Sequence, residues 1–211
     1  MQGVAFRRSG RPNEAIQRLD AATQVAPDSP MVWHNLALTQ MAVRRPAEAL
    51  KSFDKALALD PQHERAWANK GALLSTSGQF EEALLCLHKA LEINPNYAEA
   101  WSYLGGALAK QKKYDECIEH FDKALALNPE YGPAWWQKGD ILCAIQRYAE
   151  GIPCLDRAIA ISPSEARVWF SKGTALHNTG RKQEGLLCLQ KSAELGFEMA
   201  RGALRQLGLD G

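Results

Sequence analysis

The sequence lacks an excess of charge of either sign. Its 25 lysines and arginines stand against 24 aspartates and glutamates, which gives a formal net charge of +1 in 211 residues. Nucleic acids and anionic membrane surfaces are bound through clustered positive charge, which this balance does not supply. We therefore expect that no nucleic acid is among the partners.

The sequence also lacks a long apolar segment. No run of about eighteen apolar residues, the length that a membrane-spanning helix needs, occurs anywhere in it. The first residues, MQGVAFRRSGRPNEA, do not contain the apolar stretch of a secretory signal. We expect no membrane insertion and a cytoplasmic location.

Paired cysteines and recognisable catalytic motifs are absent as well. The five cysteines include no CxxC pair, so neither a disulfide framework nor a zinc ribbon is indicated. The five histidines are scattered along the chain, and no Walker, HExxH or GxSxG pattern is present. We therefore predict that the protein is not an enzyme and has no catalytic residues, no metal site and no cofactor.

What the sequence does contain is a repeat of 34 residues. Two residue types recur in register at this interval: Pro27, Pro61, Pro95, Pro129 and Pro163, and Trp33, Trp67, Trp101, Trp135 and Trp169. A fixed period of this length is typical of a solenoid, in which similar supersecondary units stack on one another.

Each repeat is predicted to be a pair of helices, A and B. We number it from the third residue after its proline, so that complete repeats begin at residues 30, 64, 98, 132 and 166. Apolar residues follow a helical spacing that breaks near position 15, where Gly78 and Gly180 supply two of the turns. Small residues recur at position 8 in helix A and position 20 in helix B, which would let the two helices approach closely.

Charged residues also recur at fixed positions. Position 19 is glutamate in every repeat, in the first turn of helix B, where negative charge suits the helix dipole. Position 7 is lysine in three repeats, as Lys70, Lys138 and Lys172, and we expect buried stems with exposed ammonium heads. Cys86, Cys154 and Cys188 share position 23, and equivalent positions of adjacent repeats lie about 9–10 Å apart, too far for a disulfide.

The repeat frame divides the whole chain into segments. These are a partial repeat at 1–29, repeats at 30–63, 64–97, 98–131, 132–165 and 166–196, and a capping helix and tail at 197–211. Met1 falls in the middle of a helix A, from which we expect the chain to be a fragment of a longer repeat protein. In the last segment Phe197, Ala200, Leu204 and Leu207 share one stripe, suited to covering the end of the array.

This pattern resembles the tetratricopeptide repeat, W-x2-L-G-x2-Y…A-x3-F…P over 34 residues. The repeat at 98–131 carries Trp101, Leu104, Gly105, Phe121 and Pro129, with a cysteine in place of the alanine. The resemblance implies an all-α fold, a right-handed superhelical solenoid of 34-residue antiparallel helix pairs. It also implies that the A helices line a concave groove which binds segments of partner proteins.

Candidate binding residues follow from the helical wheel of helix A. At about 100° per residue, positions 4, 7, 8 and 11 form the core, and positions 2, 5, 6, 9, 12 and 13 are free to bind. This free set is nearly neutral and contains large apolar side chains, which usually mark an interaction surface. The candidate peptide-binding residues are His34, Asn35, Arg65, Asn69, Glu99, Tyr103, Trp136, Asp140, Arg167, Phe170, Thr174 and His177.

Trp136 is the most distinctive candidate, because Trp135 already fills position 4 of the same repeat. Tryptophan is a favoured anchor in protein interfaces. The alternative is that Trp136 folds over a neighbouring helix and serves packing alone.

We predict a protein-protein interaction scaffold that binds a peptide or helical segment of another protein in the groove. Two alternatives stay open. Asn35 and Asn69, both at position 6, resemble the start of the asparagine ladder in the repeat domain of a glycosyltransferase, so the chain could recruit substrates for a longer enzyme. The other alternative is a self-assembling scaffold, in which the groove or the amino-terminal edge receives a second copy in a homo-oligomer.

Overall fold

The computed structural model describes residues 12–206, and within this range all regular structure is helical. The helices are α1 (Pro12–Val25), α2 (Pro30–Ala42), α3 (Pro46–Leu59), α4 (Glu64–Thr76), α5 (Phe80–Ile93), α6 (Ala98–Lys110), α7 (Tyr114–Leu127), α8 (Gly132–Ala144), α9 (Tyr148–Ile161), α10 (Ala166–Asn178), α11 (Lys182–Glu194) and α12 (Glu198–Gln206). The all-α prediction is confirmed. The start of the partial repeat before Pro12 and Leu207 of the terminal stripe lie outside the described residues.

Helices A and B of one repeat pack as a close antiparallel pair, as α10 and α11 illustrate. A Cβ added to Gly185 would lie 2.7 Å from the carbonyl oxygen of Gly173 and 2.9 Å from the amide nitrogen of His177. A Cβ added to Gly173 would lie 2.9 Å from Cγ of Leu189. The small residues at positions 8 and 20 therefore permit close approach, as the sequence predicts.

The structure divides into two compact halves, an amino-terminal half that ends at Ala107 and a carboxy-terminal half that begins at Leu108. In the amino-terminal half, Phe53 is fully buried in a cluster that includes alanines and leucines of α2, α3 and α4. In the carboxy-terminal half, one cluster centres on Leu155 and Val168 and another on Leu176. Burying each such large side chain contributes roughly 1.5–3 kcal/mol.

The recurring tryptophans and prolines are joined by hydrogen bonds. In five repeats the indole Nε1–H donates to the carbonyl oxygen of the proline six residues earlier, at N···O distances of 2.8 or 2.9 Å. The bond ties the first turn of helix A to the preceding turn. This contact explains why the two residue types keep the same separation in every repeat.

The lysines at position 7 link neighbouring repeats. Their side chains are 17–21% exposed, and each ammonium group pairs with an aspartate at position 25 of the preceding repeat. The pairs are Lys70 with Asp54 at 2.7 Å, Lys138 with Asp122, and Lys172 with Asp156 at 2.6 Å. The prediction of buried stems is confirmed. The sequence does not indicate the aspartate partners, which the structure reveals.

Candidate functional site

The candidate residues lie on the A helices, whose neighbours touch within each half: α2 contacts α4, and α8 contacts α10. We call positions 2, 5, 6, 9, 12 and 13 of these helices the A-helix face. In the amino-terminal half this face comprises α2, α4 and the first turns of α6, and in the carboxy-terminal half it comprises α8 and α10.

His34 is predicted to be free to bind, but the structure buries it. His34 is only 5% exposed. Its ring centroid lies 4.7 Å from that of His63 and 5.9 Å from that of Phe53. Asn69 places Nδ2 at 3.2 Å from His34 Nε2. His34 is therefore a packing residue, because the segment that enters α4 covers it.

Position 5 is a packing position elsewhere in the same half. Ala68 and Ser102 occupy it in the next two repeats, and both are fully buried. The wheel of an isolated helix places position 5 on the open side, whereas the neighbouring elements cover it in the folded protein. Asn35, at position 6, is only partly buried, and its backbone carbonyl oxygen accepts a hydrogen bond from Thr39 Oγ1 at 2.9 Å.

Three other candidates of the amino-terminal half gather around Tyr97. Burial raises the pKa of the Tyr97 phenol, Glu99 and Tyr103 raise it further, and Arg65 opposes them. Arg65 is exposed, while Glu99 and Tyr103 are partly buried. The sequence does not single out Tyr97 itself, since it precedes helix α6 at the end of the previous repeat.

Trp136 lines a cavity of about 350 Å³ in the carboxy-terminal half. The cavity lies among the first turns of α8 and α10 and the last turns of α9, and its lining is Gly132, Pro133, Trp136, Ala158, Ser162, Glu165, Arg167 and Val168. The indole packs against the cluster of Leu155, Ala158 and Val168. The structure thus shows the packing alternative for Trp136, and it also places Arg167 at the same cavity.

A second cavity, of about 180 Å³, lies between α8 and α10. Asp140 and Thr174 line it together with Cys143, Tyr148 and Asn178, among others. Ser171 Oγ donates a hydrogen bond to Asp140 Oδ1 at 2.7 Å. The cavity therefore brings two of the candidate residues together.

A third cavity, of about 200 Å³, lies between α10 and α12 and includes the candidates Thr174 and His177. Ala203 and Gln206 of α12 line it from the other side. Phe170, also a candidate, lies on α10, and its ring centroid is 5.2 Å from that of Phe197. The sequence predicts that Phe170 is free, but Phe197, the residue that precedes α12, covers part of its ring.

The cysteines of this region are protonated thiols at neutral pH. Burial, with smaller contributions from Asp140 and Cys154, raises the pKa of Cys143 to about 11. Burial likewise raises the pKa of Cys117 to about 11, and all five cysteines are free of disulfides. A thiol with a raised pKa is a poor nucleophile, so these side chains act as small apolar residues.

Residues 12–206 offer neither a metal site nor a membrane span. No three His, Cys, Asp or Glu side chains within that range are grouped in a way that could hold a metal ion. None of the helices described there is long and apolar enough to cross a membrane.

Family models for the tetratricopeptide repeat match nearly every part of the sequence. One matches residues 98–131, a second matches 40–107, and a third matches both 1–64 and 137–195. No curated protein matches the sequence.

Solved structures with a similar fold include three that differ widely in size. The APC/C hetero-tetramer Cut9-Hcn1 gives a TM-score of 0.89 at 16% identity, over 96% of this chain and 41% of that one. A tetratricopeptide repeat protein from Parabacteroides merdae gives 0.80 at 19% identity, over 96% of this chain and 80% of that one. YrrB, described as having an unusual peptide-binding site, gives 0.61 at 21% identity, over 89% and 97%.

Proposed function

Because the chain belongs to the tetratricopeptide repeat family, we propose that it is a protein-interaction scaffold that holds a segment of another protein against its A-helix face. The observation that carries this proposal is a set of three cavities along α10, two of them shared with α8 and the third with α12, with volumes of about 350, 180 and 200 Å³. The cavity beside Trp136 and the one next to α12 have mostly apolar walls with a few polar groups, which is the usual composition of a binding site, and the one between α8 and α10 is lined largely by polar side chains.

The charge of the same face supports a largely uncharged ligand. Arg167 and Asp140 are both exposed and have opposite signs, and Glu165 lies two residues before Arg167. Rim charges of both signs orient a partner more than they attract it from a distance. A partner segment with apolar side chains and few charges fits this surface better than an acidic or a basic one.

The similarity to YrrB adds a weaker argument. Its described peptide-binding site belongs to a protein of the same fold, 21% identical to this chain. At that identity the residues that contact a peptide need not correspond. The comparison therefore supports a peptide as the class of ligand. The choice of candidate residues is based on the geometry of this chain alone.

Capture of partners from a native lysate tests the proposal. The wild-type chain is compared with a variant that carries Asp140→Lys and Arg167→Glu, which reverses two charges on the A-helix face and preserves the net charge. We expect the wild-type chain to retain a partner that this variant loses by at least tenfold.

The matched control carries Glu119→Lys and Lys182→Glu, the same pair of charge changes on exposed positions of the B helices α7 and α11. It should retain the partner at the wild-type level, with equal helicity by circular dichroism for all three proteins. Equal capture by the wild-type chain and the A-helix variant would refute binding at this face. Light scattering at several concentrations shows whether the retained partner is a second copy of the chain.

A further inference from the structure

Two adjacent tryptophans of α8 differ in one respect that packing alone does not explain. The Trp135 Nε1–H donates to the carbonyl oxygen of Pro129 at 2.8 Å. The Trp136 Nε1–H is buried and has no acceptor among the described residues. Buried donors are nearly always paired in native proteins, so an unpaired one requires a reason.

The cavity beside Trp136 has the size of a site for one large side chain and its backbone. Its volume of about 350 Å³ is at the low end of the roughly 300–1,000 Å³ that is typical of ligand pockets. A helix can insert one side chain as well, but its backbone carbonyl groups are already paired within the helix. An extended segment inserts a single residue and keeps its backbone carbonyl oxygens free to accept a hydrogen bond.

The lining of the cavity favours an uncharged apolar residue. Trp136, Pro133, Ala158 and Val168 supply apolar surface. Glu165 and Arg167, which are both exposed, place one negative and one positive group at the rim. A charged side chain in the cavity would lose its hydration and meet one rim charge of each sign, so that the attraction to one is offset by the repulsion from the other, whereas an apolar side chain would gain by burial.

We propose that this cavity binds one large apolar side chain of an extended partner segment, and that the Trp136 indole turns to donate its N–H to a backbone carbonyl of that segment. The inference rests on the proposed function and names the ligand chemistry of one site within it. In the ligand-free protein the ring lies over Ala158 and Val168 with its donor unused. The ligand supplies the missing acceptor, so the donor contributes to binding and not to folding.

Two single substitutions test the state of the free protein. Trp136→Phe and Trp135→Phe both shorten a packed ring, but Trp136→Phe removes an unpaired donor, so we expect it to lower the melting temperature by less than Trp135→Phe does. Trp135→Phe is the matched control, and it should lower the melting temperature because the Pro129 carbonyl loses its donor. If Trp136→Phe lowers the melting temperature as much as Trp135→Phe does, the N–H is paired in the free protein and the proposal fails.

Nuclear magnetic resonance with short capped peptides tests the ligand chemistry. The probe is N-acetyl-Ala-Leu-Ala-amide, and the control probes replace leucine by aspartate or by lysine. The Trp136 indole resonance of the 15N-labelled protein is identified by its loss in the Trp136→Phe variant. We expect the leucine probe to shift this resonance downfield and saturably, while the Trp135 indole resonance stays in place.

The affinities decide the outcome. The two charged probes should bind at least fivefold more weakly, and Trp136→Phe should weaken the leucine probe by roughly tenfold, as loss of one buried hydrogen bond implies. No saturable shift, or equal shifts with all three probes, would overturn the proposal.

The two experiments separate the inference from the function on which it rests. If the charge-reversal variant loses a captured partner while Trp136 does not respond to the leucine probe, the scaffold function stands and this inference fails. If Trp136 responds while capture is equal in the wild type and the charge-reversal variant, the site chemistry stands and the proposed partner surface fails.

Discussion

At the scale of single residues, the contact between helices A and B is decided by the absence of side-chain atoms. A Cβ added to Gly151 would lie 2.5 Å from Cys143 Sγ and 2.9 Å from the carbonyl oxygen of Gly139. A Cβ added to Gly71 would lie 2.7 Å from Cγ of Leu87. Both glycines lie in helix interiors, where alanine has the better intrinsic propensity. Helix propensity therefore does not explain them, whereas the close approach of the two helices does.

Gly185→Ala should therefore destabilise the protein by about 1–3 kcal/mol, because the new methyl group meets the backbone of Gly173 and of His177, which cannot move away as a side chain can. Gly202→Ala in α12 is the matched control, with no atom within 4 Å of the added Cβ, and it should stabilise by roughly 0.5–1 kcal/mol. Urea unfolding measures both. Stabilisation by both substitutions would show that propensity and not space governs position 20.

At the scale of secondary-structure elements, three of the B helices, α3, α9 and α11, begin with an arginine–glutamate pair. Arg147 donates two hydrogen bonds to Glu150, both at 2.7 Å, and Arg181 donates two to Glu184 at 2.8 and 2.7 Å. The N-cap arginines themselves make no side-chain capping bond. The glutamate at position 19 thus interacts both with the helix dipole and with an arginine. The sequence indicates the interaction with the dipole, and the structure adds the arginine.

These pairs make stability depend on pH in the acid range. The hydrogen bonds from the arginines lower the pKa of Glu150 and of Glu184 below the ordinary value of 4.5. A depressed folded-state pKa contributes stability that is present above the unfolded pKa and is lost as the pH falls through the folded one. We expect the urea midpoint to fall as the pH drops below 4.5, by a modest amount because both groups are exposed.

The double variant Glu150→Gln, Glu184→Gln provides the control for the pH experiment. It should start with a lower midpoint at neutral pH and lose less of it on acidification, because the two titrating groups are gone. A double variant whose midpoint falls as steeply as that of the wild type would assign the acid sensitivity to other carboxylates.

At the scale of the whole molecule, helices contact their neighbours along the chain and little else within each half. At the carboxy-terminal end, α12 packs on α11 and buries Ala200 and Leu204, while Met199 is 63% exposed. Stability in such an arrangement is a sum of local terms and nearest-neighbour terms. Damage at one end should therefore remain near that end.

Ala200→Asp tests this locality, because it places a charge at a fully buried site and should cost at least about 2 kcal/mol locally. Hydrogen exchange followed by mass spectrometry should show lost protection in α11 and α12 and unchanged protection in α4 and α5. Met199→Asp, one residue away on the exposed side, should leave every segment protected as in the wild type. Uniform loss of protection along the chain after Ala200→Asp would contradict nearest-neighbour stability.

Much of the candidate site could be placed on the correct helices from sequence, but the accessibility of its residues could not be predicted. The wheel of helix A places Trp136, Asp140 and Arg167 on one side, and the structure finds all three beside cavities. The same wheel makes His34 and Phe170 free, whereas one is buried and the other is covered in part. Burial of these two depends on a neighbouring segment, which the periodicity of a single helix does not describe.

By itself the sequence determined the helix pairs and their period, because these follow from local patterns of apolar and small residues that any copy of the repeat carries. Only the tertiary structure decided which lysine meets which aspartate, and that Arg44, Lys112 and Gln146 take the positive φ that glycine takes in the other repeats. It also decided that Trp136 has a buried donor without an acceptor. The lysine partners and the unpaired donor depend on how neighbouring elements pack, a relation between separate elements that the pattern of a single helix does not encode.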